Sequence, residues 1–196
     1  METIVAIVLA AGASTRLGRP KQLIEIQGKT MLTHLIEKIN QAGFSNIMVV
    51  LGSNHQKIFD TVSNLPAHFI VNEQWEKGMG NSFSFGLRKS MIKWPDMSQV
   101  LVSVCDQPFV PVSHFEAIKN KISRDTSLIV ASGYGGTFGP PLACGKKYFD
   151  EIIQLEGEKG AKSIFRKYQE QIEIIPCAEC ARDIDTPEDA RIFSNH

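Results

Sequence analysis

The sequence predicts an α/β fold: one domain over residues 1–196, built as three layers with a mostly parallel sheet between helices. Three observations carry this reading. Short, continuous apolar runs rich in β-branched residues, IVAIVL at 4–9, NIMVVLG at 46–52 and VLVSV at 100–104, read as strands buried on both faces. Between them lie stretches whose apolar residues recur at helical spacing, and strands alternating with helices make a parallel sheet. A chain of 196 residues, 43% hydrophobic and 21% charged, is long enough for one substantial core.

The elements follow in order. After the first strand, KTMLTHLIEKINQAG places Met31, Leu32, Leu35, Ile36 and Ile39 on one helical face, with Gly43 set to end the helix. The second strand, NIMVVLG, leads to a helix in HQKIFDTVSNL and a short strand in HFIV. Phe83, Leu87 and Met91 repeat every four residues and predict a helix over 82–92. VLVSV is the next buried strand and runs directly into Cys105-Asp106-Gln107-Pro108. SHFEAIKNKI and SLIVAS give another helix and strand. Gly139-Pro140-Pro141 reads as a rigid bend. KKYFDEIIQL and AKSIFRKYQE are read as helices, IEIIP as a strand, and TPEDARIF as a short terminal helix capped by Thr186 with Pro187 at its first position.

Composition excludes several classes. Twenty-one basic residues balance twenty-one acidic ones, so bulk charge offers no general surface for nucleic acid or anionic membrane. No apolar run approaches the roughly 18 residues that span a bilayer. The opening MET carries Glu2 and no basic residue, against a secretory signal, so a cytoplasmic protein is expected. The four cysteines, 105, 144, 177 and 180, are too scattered for a disulfide scaffold. Cys177 and Cys180 form one C-x-x-C, without the second pair a structural zinc site needs. They are expected to be reduced thiols near a loop.

The chemistry concentrates after the first strand. In an open α/β sheet, ligands bind beyond the carboxyl ends of the strands. There the chain reads LAAGASTRLGRPK, where Leu9 and the small residues Ala10, Ala11, Gly12, Ala13 and Ser14 let backbone N–H groups approach an anion closely. Arg16 adds a planar fork suited to phosphate, and Lys21 a mobile point charge. Together they suit a polyphosphate. The stretch is no Walker A loop, because Gly18 stands one residue too far from Gly12 and Arg19-Pro20 follows it. Ala13-Ser14 likewise breaks the G-x-G-x-x-G dinucleotide fingerprint. Asp106, immediately after a buried strand, can supply a carboxylate to Mg²⁺ at the same sheet edge, with a second from DIDTPED, either Asp183 or Asp185. GEKGAK offers a helix start for an acceptor's phosphate, with Lys159 or Lys162 assisting. No histidine sits in a matched motif, and no Ser-His-Asp or Cys-His set stands out.

LAAGASTRLGRPKQL resembles the L-A-A-G-x-S-x-R-x-G-x-x-K-x-L motif of the MobA-like nucleotidyltransferases, with Leu17 where Met is common. NEQWEKGMGNSFSFGL, CDQPFV, FGPPLACGKKYFDEIIQLEGEKGAK and DIDTPED resemble further motifs of that family in the same order, the last two in its molybdenum cofactor cytidylyltransferase branch. The resemblance implies a Rossmann-like, GT-A-type fold and transfer of CMP from CTP to a phosphate-bearing acceptor such as molybdopterin. A molybdoenzyme apoprotein is then an expected partner, and Mg²⁺ the expected cofactor. It implies that Gly12, Ala13, Ser14, Arg16 and Lys21 bind the triphosphate and that Gly78 and Ser82 lie along base and ribose. Asp106 and Asp185 would hold the metal, and Pro140, Pro141, Gly160 and Lys162 would meet the acceptor. Ala11, in LAAG, implies CTP over GTP.

Overall fold

Strand β1, Thr3–Ala10, shows why the apolar runs lack alternation. Ala6, Val8 and Ala10 pack into one core cluster, and Val5, Ile7 and Leu9 into another on the opposite face. Both sides of the pleat are therefore buried. A computed structural model describes residues 3–14, 17–157, 164–184 and 189.

After β1 a single 3₁₀ turn, Lys21–Leu23, leads into a small hairpin, β2 (Glu25–Ile26) and β3 (Lys29–Thr30). Gln27 and Gly28 turn that hairpin with φ of 49° and 76°. Helix α1, Met31–Gln41, buries all five residues of the expected face, and Thr30 Oγ1 caps it by accepting from Thr33 N at 3.1 Å. Gly43, at φ 80°, ends it as its sequence position predicts.

β4 (Asn46–Leu51), α2 (His55–Val62), β5 (His68–Val71), α3 (Met79–Lys93) and β6 (Met97–Val104) follow. α4 (Val112–Arg124), β7 (Ile129–Tyr134), β8 (Thr137–Gly145), the short α5 (Phe149–Ile152) and β9 (Ile172–Pro176) complete the named elements. The sheet order is β5-β4-β1-β6-β8-β7-β9. β1 lies parallel to β4 and β6, β4 to β5 and β7 to β9, while β8 runs antiparallel to both neighbours. The sheet is mixed and mostly parallel, as expected. α1, α2 and α4 contribute to one core cluster, α3 and α5 to the other.

Three expectations need correction. The stretch read as a bend at Gly139-Pro140-Pro141 lies inside a strand. Register jumps there, with Ala131 facing Leu142 and Ser132 facing Gly139, so the two prolines occupy a bulge where no ladder N–H is required. The Pro140–Pro141 bond is cis. The helix expected over 146–155 is only a 3₁₀ turn followed by α5. The described part of the helix expected over 161–170 is largely 3₁₀, interrupted at Tyr168 (φ −116°, ψ 37°). The expected terminal helix TPEDARIF lies almost wholly outside the described residues.

The cysteine expectation also fails. Cys177 and Cys180 are joined in a disulfide, with Cα atoms 5.3 Å apart. A 3₁₀ turn over Ala178–Ala181 brings side chains three apart onto one face, which is the geometry this bond needs. His114 lies near both sulfurs, but sulfurs bonded to each other offer no thiolate to a metal. No helix among the described residues is long and apolar enough to cross a membrane.

Candidate active site

β1 and β6 end side by side, and Cys105 N donates to Leu9 O at 3.1 Å, so the first loop and Asp106 leave the sheet together. Gln22 holds the loop's shape. It is buried, and its Nε2 donates to Ala10 O at 2.7 Å and Gly12 O at 3.2 Å. In planar trans peptides the next N–H lies opposite each carbonyl, so the amides of Ala11 and Ala13 face away from Gln22. Ser14, at φ 54°, accepts through Oγ from Lys21 N at 3.0 Å and draws the two ends of the loop together.

That closure delivers Lys21 to Asp106. Lys21 Nζ lies 2.7 Å from Asp106 Oδ2, both side chains being largely buried. The other oxygen, Asp106 Oδ1, is buried without a hydrogen-bond partner. A shielded carboxylate oxygen with unused lone pairs beside a phosphate-type loop fits a hard divalent cation. On the far side, Ile184 N donates to Asp106 O at 3.1 Å, and fully buried Ile184 packs with Ile24, Ile26 and Met31. Exposed Asp183 is thereby held near Asp106. The charges of both bear on the half-buried Tyr134 hydroxyl, whose pKa rises mainly through burial despite the opposing Gln107 hydrogen bond.

A cavity of about 300 Å³ lies over this edge. The first loop from Leu9 to Ala13 lines it together with Lys21, Cys105 and Asp106; a 3₁₀ turn over Trp75–Lys77 contributes Trp75, and Gly78, Met79 and Ser82 come from the start of α3. Gly78, at φ 100°, makes the turn into α3 that only glycine adopts readily. Asn72, buried just after β5, donates through Nδ2 to Ser82 Oγ at 3.1 Å and to Asn81 Oδ1 at 3.0 Å, fixing that side. Cys105 is no nucleophile or thiolate ligand: burial, helped by Asp106, pushes its thiol up to about 12 against the pull of Lys21.

The structure thus brings Leu9, Ala10, Ala11, Gly12, Ala13, Lys21, Gly78, Ser82 and Asp106 around one space, with Ser14 bracing it. It does not bring Pro140 and Pro141 there. They lie in the β8 bulge, where Ser132 Oγ donates to Pro141 O at 2.6 Å and also meets His114 Nε2 at 2.7 Å. Arg16, Gly160, Lys162 and Asp185 lie outside the described residues, as does Lys159. Sequence reasoning assigned no role to Gln22, Asn72 or Tyr134. Gln22 follows Lys21 directly, and a polar residue beside a loop of small ones was the available signal.

Gly52 lets the end of β4 pack closely against Ala11 and Trp75, both of which line the cavity. A Cβ built there would lie 2.6 Å from Ala11 O and 2.6 Å from Trp75 Cβ and Cγ. Backbone and an aromatic stem cannot yield cheaply. Gly52→Ala is expected to cost about 1–3 kcal/mol of stability and to shift Trp75 or Ala11, weakening binding of any nucleotide that this cavity holds. Thermal unfolding with and without nucleotide checks both, and an unchanged ligand-induced shift would contradict the coupling.

Known proteins resemble this chain over most of its length. A model of the MobA-like NTP transferase domain matches residues 6–172. The chain is 26% identical over 196 residues to nicotine blue oxidoreductase of Paenarthrobacter nicotinovorans, covering 94% of this chain and 93% of that one. It is 25% identical over 198 residues to purine catabolism protein PucB of Bacillus subtilis, covering 95% and 93%. The crystal structure of Rv0371c from Mycobacterium tuberculosis superposes with a TM-score of 0.83 at 25% identity, over 100% of this chain and 99% of the other. The same mycobacterial protein solved with manganese gives 0.79 at 24% identity over 98% of each chain. These named relatives do not single out the molybdenum cofactor branch.

Proposed function

The chain belongs to the MobA-like NTP transferase family, and we propose that it transfers CMP from CTP to a phosphate-bearing acceptor, molybdopterin, releasing pyrophosphate. The observation that carries this reading is the Lys21–Asp106 contact beside the first loop, with one Asp106 oxygen left unpartnered. The donor choice rests on Ala11 in LAAG, and the acceptor on the resemblance of the later motifs. The manganese complex of the mycobacterial relative supports a divalent cation.

In the proposed reaction an oxygen of the acceptor phosphate attacks the α-phosphorus of CTP in line. A phosphoanhydride bond forms there as the α–β bond breaks, and pyrophosphate carries away the electron pair. A phosphate nucleophile is already anionic at neutral pH, so no general base is needed. The chain's part is positioning and charge. Backbone amides of the first loop and Lys21 receive the triphosphate, Arg16 adds a second cation, and Gly78 and Ser82 meet base and ribose. Asp106, with Asp185 or Asp183, would hold Mg²⁺, whose charge offsets that of the phosphates.

The test is incubation of the full chain with Mg²⁺, each NTP in turn, and molybdopterin, sugar phosphates and alditol phosphates as acceptors. Pyrophosphate release and product mass are read together. The reading expects CTP and molybdopterin to give the cytidylylated mass. The product mass of an active sugar phosphate would reassign the acceptor, and another active NTP would reassign the donor. Nucleotide binding without pyrophosphate from any acceptor would instead favour an accessory protein that binds nucleotide without turnover.

A further inference from the structure

Cys177, Cys180 and His114 form a cluster that the proposed reaction does not use. A ligand atom from each lies within 4.8 Å of the others, and all three residues are buried. α4 supplies His114, and the 3₁₀ turn after β9 supplies Cys180, with Cys177 as its N-cap. Hydrogen bonding fixes which ring nitrogen of His114 carries the proton. Ser132 Oγ donates its one hydrogen to Pro141 O at 2.6 Å, so it can only accept from His114 Nε2, 2.7 Å away. Nε2 therefore bears the proton, and Nδ1 keeps a lone pair that no described residue uses. Burial lowers the pKa of this ring against the pull of Glu179, which keeps it neutral. An anchored, neutral imidazole with one free nitrogen is what a metal-binding histidine presents.

We infer that reduction of the Cys177–Cys180 disulfide opens a binding site for a thiophilic divalent cation of the Zn²⁺ class, held by both sulfurs and His114 Nδ1. The S–S bond keeps that site closed. A dithiol supplies the two electrons: the S–S bond breaks, each sulfur takes a proton, and the dithiol leaves as its own disulfide. The cation then displaces both thiol protons to solvent and forms two metal–sulfur bonds and one metal–nitrogen bond. Charge selects the ion. Two thiolates and a neutral imidazole together carry two negative charges, so a divalent cation leaves the buried cluster uncharged, whereas Cu⁺ would leave it anionic. Three protein ligands leave the fourth tetrahedral position of Zn²⁺ to a water. The turn gives access. Ala178 and Glu179, between the two cysteines, are exposed, so a local opening of this short segment uncovers both sulfurs. Gln107 Nε2 donates to Cys180 O at 2.7 Å, which ties the turn to the loop carrying Asp106. The site would fill whether or not nucleotidyl transfer occurs.

The experiment reduces the full chain with dithiothreitol, removes the reductant under argon and titrates with Co²⁺, a spectroscopic stand-in for Zn²⁺. A near-ultraviolet thiolate-to-cobalt charge-transfer band is expected, saturating at a single ion per chain and lost when Zn²⁺ is added. The oxidised chain should show no band. Cobalt at Asp106 meets a carboxylate and gives no such band. Cys105 and Cys144 stay protonated, because burial pushes both thiols up, that of Cys105 to about 12. Cys177→Ser should lose the band at the cobalt concentration that saturates the wild type. Ser132→Ala keeps both sulfurs but releases the His114 ring, and should weaken cobalt binding about 10–100-fold with the band retained. A melting curve checks each variant, and Ser132→Ala keeps the test readable if Cys177→Ser does not fold. No band in the reduced chain, an equal band in the oxidised chain, or a band undiminished in Cys177→Ser overturns the site. Unchanged affinity in Ser132→Ala overturns the part given to His114, and a band that Zn²⁺ fails to displace overturns the choice of ion.

Discussion

Asp106→Asn is expected to lower kcat for nucleotidyl transfer by about 10³-fold or more, with little change in fold. The substitution keeps size and shape but removes the charge. In the wild type, Oδ2 accepts from Lys21 at 2.7 Å while Oδ1 is buried with no partner. An amide places an N–H₂ at one of these positions, against either the lysine or the cation. Removing a single preorganised group that stabilises transition-state charge typically costs about 10²–10³-fold, and cationic contacts in phosphoryl transfer reach about 10³–10⁵. Asp106→Asn disturbs both at once. Steady-state kinetics at saturating CTP and Mg²⁺, with a melting curve to confirm folding, gives the answer. Activity within threefold of wild type would remove Asp106 from the chemistry.

Lys21→Ala should lower kcat by about 10²–10⁴-fold. Its Nζ is the cation that the closed loop delivers to the carboxylate, and the backbone of the same residue closes that loop onto Ser14. Because the backbone bond survives the substitution, the loop should persist and the loss should fall on charge stabilisation. The two side chains touch, so their effects should not add. The double variant should lose less than the product of the single losses. Full additivity, or a Lys21→Ala enzyme within threefold of wild type, would mean that the contact is structural only.

The elements that sequence made legible share one property: their pattern was local. α1 shows its five apolar residues at helical spacing and its closing Gly43, and all of these are realised. β1, β4 and β6 were legible because burial on both faces leaves uninterrupted apolar runs. β8 was not, since two prolines argue against a strand unless a bulge absorbs them, and the bulge depends on its pairing with β7. The 3₁₀ turns around α5 were missed because helical spacing over a few residues does not separate α from 3₁₀.

At the site, the small residues of the first loop and the strand-end aspartate were readable, because chemistry fixes the residue type at each position. Gln22, Asn72 and Tyr134 were not. Each acts through a partner distant in sequence: Gln22 through the carbonyls of Ala10 and Gly12, Asn72 through Ser82, and Tyr134 through Gln107. The Cys177–Cys180 disulfide escaped for a related reason, since the bond depends on a turn that composition does not announce.

The most direct test of the central claim is a crystal structure with Mg²⁺ and a CTP analogue whose α–β bridge cannot be cleaved. The account predicts the triphosphate against the amides of Ala11 to Ala13, Lys21 Nζ on a phosphate oxygen, and an Asp106 carboxylate oxygen bound to the metal. An analogue seated elsewhere, or a metal held without Asp106, would contradict it.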